Sequence, residues 1–163
     1  MSNGIRQTHD FTSLWNRPGF LIRRLHQIHV AMFLEECDDF NITPVQFGVL
    51  TVLNGQGALD QVTISNQLGV DRVTVADVLR RLEGRGLLER PISTTDKRAK
   101  LAIITAEGET FVEAVQTRMI LAQRRFVEPL SEEENDTLMT LLTKLMEANN
   151  DASRAPFRPN SGR

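Results

Sequence analysis

A single cysteine, Cys37, stands among 163 residues, so neither an internal disulfide nor a multi-thiolate zinc site can hold this fold together. No stretch approaches the roughly 18 uninterrupted apolar residues that a membrane span needs. Near the start, the longest apolar run is Phe20-Leu21-Ile22, cut off by Arg23-Arg24 and too short for a signal-peptide core. The chain is therefore expected to be cytoplasmic, without a membrane partner. No glycine-rich phosphate loop, H-E-x-x-H or G-x-S-x-G occurs, and Cys37 with three scattered histidines makes no nucleophile–base pattern. Neither catalysis nor a cofactor is expected. What remains is a soluble globular balance, 40% apolar and 25% charged, in a length suited to one domain with its own core.

Negative charge is in slight excess, a net −2, but it is unevenly placed. Residues 72–100 hold eight basic side chains against four acidic ones, a surplus of four, which leaves −6 for the rest of the chain. A basic segment in an acidic chain is the electrostatic footprint of phosphate binding, although a charge run is commonly just the solvated face of a helix.

Helix signals recur along the chain. Asn16-Arg17-Pro18 predicts a first helix, with Asn16 as its cap and Leu21, Leu25, Ile28 and Met32 as its buried row, ending near Cys37. Thr43-Pro44 opens a second, carrying Val45, Val49, Leu50 and Leu53 to a break at Asn54-Gly55. Asp60 caps a short third helix that Gly69 ends, and Asp71 caps a fourth that runs to about Arg85. After Gly86, Leu87–Ile92 and Lys100–Thr105 read as strands of a hairpin around the turn from Ser93 to Asp96. Thr105 caps a long helix, and Ser131 with Glu134 forms a capping box for the last. That last helix carries Leu138, Leu141, Leu142, Leu145 and Met146, an apolar stripe with nothing downstream to cover it. The tail, 150–163, lacks periodicity and is expected to be disordered.

Two short helices around a tight glycine turn, the second with its own cap, have the form of a helix-turn-helix whose second helix enters the DNA major groove. Val75, Val78, Leu79 and Leu82 should face the core, and Arg72, Thr74, Asp77, Arg80 and Arg81 should face away. Arginine pairs with a guanine edge and threonine with a base edge or a thymine methyl. Asp96, Lys97 and Arg98 at the hairpin tip suit a minor-groove contact, with Arg98 as the probe and Asp96 orienting Arg98 or Arg90. The bland reading of Asp96 is a turn former.

These residues resemble the winged helix of MarR-type transcriptional regulators. The resemblance rests on R-L-E-x-x-G-L-x-x-R at Arg81–Arg90, D-x-R-x-K at Asp96–Lys100, and T-x-x-G at Thr105–Gly108, and the flanking helices extend it over residues 15–148. It implies a mainly α fold with a small β-hairpin wing. A flexible arm (1–15) would precede one domain (16–149), in which 43–105 form the winged helix and 16–37 with 106–149 the dimerisation helices. It also implies a homodimer that binds a double-stranded, pseudo-palindromic operator, typically as a repressor, and that a small molecule releases.

The effector is expected to be an aromatic or heteroaromatic acid. Trp15, Arg17, His26, His29 and Phe47 lie on segments that line the family's pocket, where Arg and His would pair with a carboxylate and the aromatics stack on a ring. Trp15 and Phe47 are equally explicable as core. His26 and His29, three apart, leave a metal-sensing alternative, with no metal site assigned. Oxidant sensing at Cys37 is disfavoured by its neighbours Glu35, Glu36, Asp38 and Asp39, and by the absence of the tyrosine partners that the family's peroxide sensors use. A winged-helix protein-interaction module without DNA binding is the alternative from another class.

Overall fold

The computed structural model describes residues 11–92, 100–153 and 155–158. Six α-helices and three short strands follow in the order α1 (Pro18–Glu36), α2 (Pro44–Gln56), β1 (Leu59–Asp60), α3 (Gln61–Leu68), α4 (Arg72–Gly84), β2 (Leu88–Glu89), β3 (Leu101–Ile104), α5 (Ala106–Val127) and α6 (Glu132–Asn149).

The caps set the boundaries. Thr43 and Gln46 form a capping box on α2, Asp60 accepts from the Val62 and Thr63 amides, and Asp71 accepts from Thr74 N–H. Thr105 and Ser131 cap α5 and α6. Two expected boundaries move. The cap of α1 is Arg17 rather than Asn16, with no side-chain bond, because Leu14–Asn16 forms a 3-10 turn of its own before Pro18. Helix α2 runs through Asn54-Gly55 and stops at Gly57, whose φ of 77° suits glycine.

The core lies where α2, α3, α4 and the start of α5 meet the sheet. Leu50, Leu53, Ile64, Val75, Leu79, Leu82, Leu88 and Val115 are fully buried there, and Phe33 and Cys37 close it from the end of α1. A pair of reciprocal amide bonds, Gln56 to Gln67 (2.9 Å) and Gln67 to Gln56 (2.8 Å), ties the end of α2 to α3. The sheet is antiparallel in the order β1-β3-β2, with Leu59 opposite Ala102 and Leu88 opposite Ile104. The expected hairpin is present as β2 and β3 with a bridge at Ile92 and Lys100. Strand β1, two residues long, joins it from the far side. Gly108 lets the start of α5 lie close against the chain entering β2, since a Cβ there would run into the Leu87 carbonyl oxygen.

The outer helices contrast with this core. Among α1 residues only Phe33 is buried, and the row expected to be buried, Leu21, Leu25 and Ile28, is exposed. Helix α6, 18 residues long, buries nothing at all. The expected disorder after Asn150 is not met over the described part of the tail. A 3-10 turn spans Asn150–Ala152, and Arg158 N–H donates to the Asn66 carbonyl at 2.7 Å.

Candidate nucleic-acid interface and effector cleft

Helix α4 is amphipathic, with Val75, Val78, Leu79 and Leu82 buried on one face. The opposite face holds Arg72, Thr74, Asp77, Arg80 and Arg81 together, as the spacing predicts. Asp77 sits between two arginines. Its Oδ1 lies 3.2 Å from Arg80 Nη2 and its Oδ2 2.7 Å from Arg81 Nε, while the arginine side chains stay 71% and 67% exposed. Such exposed pairs contribute little stability; their consequence is geometric, holding two guanidinium groups side by side on one helix face.

The helix start is equally well ordered. Asp71 accepts from Thr74 N–H at 2.9 Å and from the Thr74 hydroxyl at 2.6 Å. Those two bonds, the hydroxyl's first, hold the Asp71 carboxyl below its ordinary pKa. Beside them, Val73 is 80% exposed, a residue that reasoning from charge alone passes over. Its signal was position. It stands in the first turn between Arg72 and Thr74, where an apolar side chain suits a thymine methyl.

The basic segment is not uniformly available to a ligand. Arg85 is a structural pin: its Nη1 and Nη2 donate to the Asn41 and Phe40 carbonyls at 2.8 and 3.0 Å, and its guanidinium lies 5.0 Å from the Phe111 ring centre. Arg90 is half-buried at the base of the wing. The tip residues Asp96, Lys97 and Arg98 lie outside the described residues.

A separate cleft of about 720 Å³ opens between α1, the end of α5 and α6. Ile22, Leu25, Leu138, Leu141 and Phe126 line it, with His26 and His29 on the α1 wall. Gln123 Nε2 donates to His29 Nε2 at 2.7 Å, and Phe126 meets the His29 ring edge-on at 5.4 Å. Glu134 reaches the rim, but its carboxylate accepts from Ser131 N–H in the capping box.

Of the five expected ligand residues, only His26 and His29 meet at this cleft. Phe47 is a core residue, 6% exposed and tilted against Phe33 at 6.2 Å. Trp15, 67% exposed, packs edge-on against Phe20, and the Arg17 guanidinium donates to the Phe11 and Thr12 carbonyls. The expectation for these three rested on the segments they lie on, which carries no information on the face each side chain takes.

Residues 42–100, the span from the start of α2 to the wing, match the MarR family model. The chain is 31% identical over 136 residues to the transcriptional regulator HosA of Escherichia coli O111:H-, an alignment spanning 83% of this chain and 99% of HosA. The chain belongs to the MarR family. Within it, the solved structure of Bordetella bronchiseptica BpsR, described as regulated in DNA binding by 6-hydroxynicotinic acid, is 32% identical with a TM-score of 0.76, covering 79% of this chain and 92% of BpsR. The transcriptional repressor CouR, solved bound to a 23-mer DNA duplex, is 26% identical with a TM-score of 0.76, covering 83% and 96%. This MarR-family chain is accordingly a transcriptional regulator with a winged-helix fold.

Cys37, at the end of α1, is 1% exposed. Burial pushes its thiol pKa up, Glu36 adds to the rise, and Arg118 opposes it. A buried thiol held in its neutral form is a poor nucleophile toward oxidants. Among the described residues no group of three His, Cys, Asp or Glu side chains is placed to hold a metal ion, and no helix is long and apolar enough to cross a membrane.

Proposed function

We propose that this chain is a homodimeric repressor that holds a pseudo-palindromic operator with two winged helices and releases it when a small aromatic or heteroaromatic carboxylate binds. The observation that carries the reading is the exposed face of α4, where Arg80 and Arg81 flank Asp77 beside Arg72, Val73 and Thr74. A hydrogen-bonding row on a helix presented by a helix-turn-helix has the donors and the shape that major-groove readout requires. The wing contributes Arg90 at its base, and this reading assigns Asp96, Lys97 and Arg98 as further DNA contacts. Dimerisation follows from α6 and α1, whose exposed apolar rows need a covering surface; a second copy supplies one with the same composition.

The effector class rests on likeness to BpsR together with the cleft, whose volume lies within the roughly 300–1,000 Å³ of small-molecule sites. His26 and His29 are its polar groups for a carboxylate, and Phe126 its ring-stacking surface. The cleft belongs to the same face that a second copy would cover, so ligand and dimer share one wall.

The test is a titration of the protein onto its own upstream intergenic DNA at 50 and 200 mM salt, with a panel of aromatic acids that includes 6-hydroxynicotinic acid. The expected result is affinity that falls on the order of a thousandfold between the two salts, with one acid displacing the DNA. Binding without displacement would reopen metal, oxidant or constitutive control. No binding at either salt would point instead to a protein-interaction module. Arg98→Ala should weaken the complex while leaving the dimer intact.

A further inference from the structure

The chain does not simply end after α6. The 3-10 turn Asn150–Ala152 redirects it, and the Asn150 side chain then grips Phe157 at both backbone groups. Its Oδ1 accepts from Phe157 N–H at 2.8 Å, and its Nδ2 donates to the Phe157 carbonyl at 2.9 Å. Ser153 braces the loop from inside: its hydroxyl donates to the Ala155 carbonyl at 3.1 Å and accepts from Ala155 N–H at 3.2 Å.

The outside of this loop rests on the helix-turn-helix. At Gly69, the left-handed residue that ends α3, a Cβ would stand 3.5 Å from the Ala155 carbonyl oxygen and 3.7 Å from Phe157 Cβ. Next to it, Arg158 N–H donates to the Asn66 carbonyl at 2.7 Å. The last carbonyls of a helix have no partner within the helix. In α3 the Gly69 and Val70 amides both go to Ser65, which leaves the Asn66 carbonyl to be satisfied from elsewhere. The tail satisfies it.

We propose that residues 150–153 and 155–158 form a strap that fixes the DNA-reading head relative to α6, with Asn150 and Phe157 as positioning residues for the half-site spacing the dimer accepts. This rests on the homodimeric, DNA-binding reading above. Helix α6 carries the apolar row for the second copy, and α4 carries the DNA contacts, but α6 shares no extensive packing with α2, α3 or α4. The chain path through α5 is one attachment between them, and the strap is a second. Two attachments restrict how far each head can move against the dimer. Helix-turn-helix dimers read half-sites about 34–36 Å apart, and one inserted base pair shifts a half-site by roughly 3.4 Å and rotates it about the duplex axis. A fixed pair of heads can follow only by deforming the DNA, which costs free energy. Loosened heads can follow freely, but must then be ordered on binding, which weakens the complex at native spacing.

The experiment uses the full chain, Asn150→Ala and Phe157→Ala, each checked for an unchanged dimer and far-ultraviolet circular dichroism. A duplex selected by the wild-type protein from a random-sequence pool is compared with the same duplex carrying one base pair inserted at its centre. The insertion should cost the wild type on the order of tenfold in affinity or more. In both variants that ratio should shrink to about threefold, with weaker binding at native spacing. Hydrogen exchange of the Phe157 and Arg158 amides is measured in parallel on the free proteins. Slow exchange in the wild type and faster exchange in the variants is the expected pattern. Fast exchange at both amides in the wild type overturns the strap. An insertion penalty unchanged in both variants overturns its positioning role even if the amides are protected. A wild-type chain that binds no duplex from the pool overturns the functional reading, and the spacing proposal falls with it.

Discussion

The winged-helix head and the outer-helix frame of this chain are built on opposite terms. In the head, α2 to β3, each helix start has its cap, the apolar residues of α4 that face inward are all buried, and the α2–α3 junction is closed by paired glutamines. In the frame, α6 buries no residue, and Leu21, Leu25 and Ile28 of α1 are exposed. Each Leu or Ile fully buried gains about 1.5–3 kcal/mol, so a row of them left in water is a surface whose stabilisation comes from a partner. The head is complete within one chain; in the proposed dimer the frame is completed by a second.

The largest break in that contrast is expected from charges on the frame. Leu142→Glu with Leu145→Glu would place unpaired carboxylates where a second copy packs, and each truncated or charged centre of such an interface costs about 2 kcal/mol or more. Sedimentation should show a monomer whose head still melts cooperatively. A variant that remains dimeric would separate α6 from the interface.

Next in size is Gly108→Ala, aimed at the head. The added Cβ meets the Leu87 carbonyl, and relief requires α5 to move away from β2. Overpacking of this kind costs about 1–3 kcal/mol. Chemical denaturation should show the loss, and a stability equal to wild type would mean the contact yields more easily than its geometry implies.

A smaller effect is expected from Asp60→Ala, which removes the α3 cap at a cost of about 1 kcal/mol. Burial alone would raise the Asp60 carboxyl pKa, but hydrogen bonds from Thr63 and Val62 outweigh it and bring the value down. With the folded pKa depressed, the carboxylate's contribution is fully present above the ordinary Asp range near 3.9 and is lost as pH falls through the folded value. Wild-type stability should therefore drop in acid more steeply than that of Asp60→Ala. Parallel acid profiles would refute the cap's role. The smallest effect belongs to Cys37: iodoacetamide at neutral pH should leave it unmodified until the protein is unfolded, and rapid alkylation of the native chain would restore a redox role.

The same contrast explains what could be read from the residues in order. Asp60, Asp71, Thr105 and Ser131 each cap a helix within three residues of themselves, and local chemistry of that kind is legible along a chain. Features that depend on distant partners were not. Strand β1 exists because Leu59 and Asp60 pair with β3 across 40 residues and more, and the Arg85 guanidinium is tied down because it reaches the Phe40 and Asn41 carbonyls. The α1 row reads as buried because periodicity reports that a face is apolar, not whether its own chain covers it. Phe47 shows the converse, an aromatic expected at the ligand site that turns into the core. The tail's composition suggests disorder, yet Asn150 makes two bonds to a residue seven positions on.

The most direct test is the mass of the complex. Native mass spectrometry of the full chain with a duplex carrying its selected site, repeated across protein concentration, counts the copies bound. Two chains per duplex, with no stable species of one chain per duplex, is the predicted result. A single chain bound to DNA at saturation would contradict it.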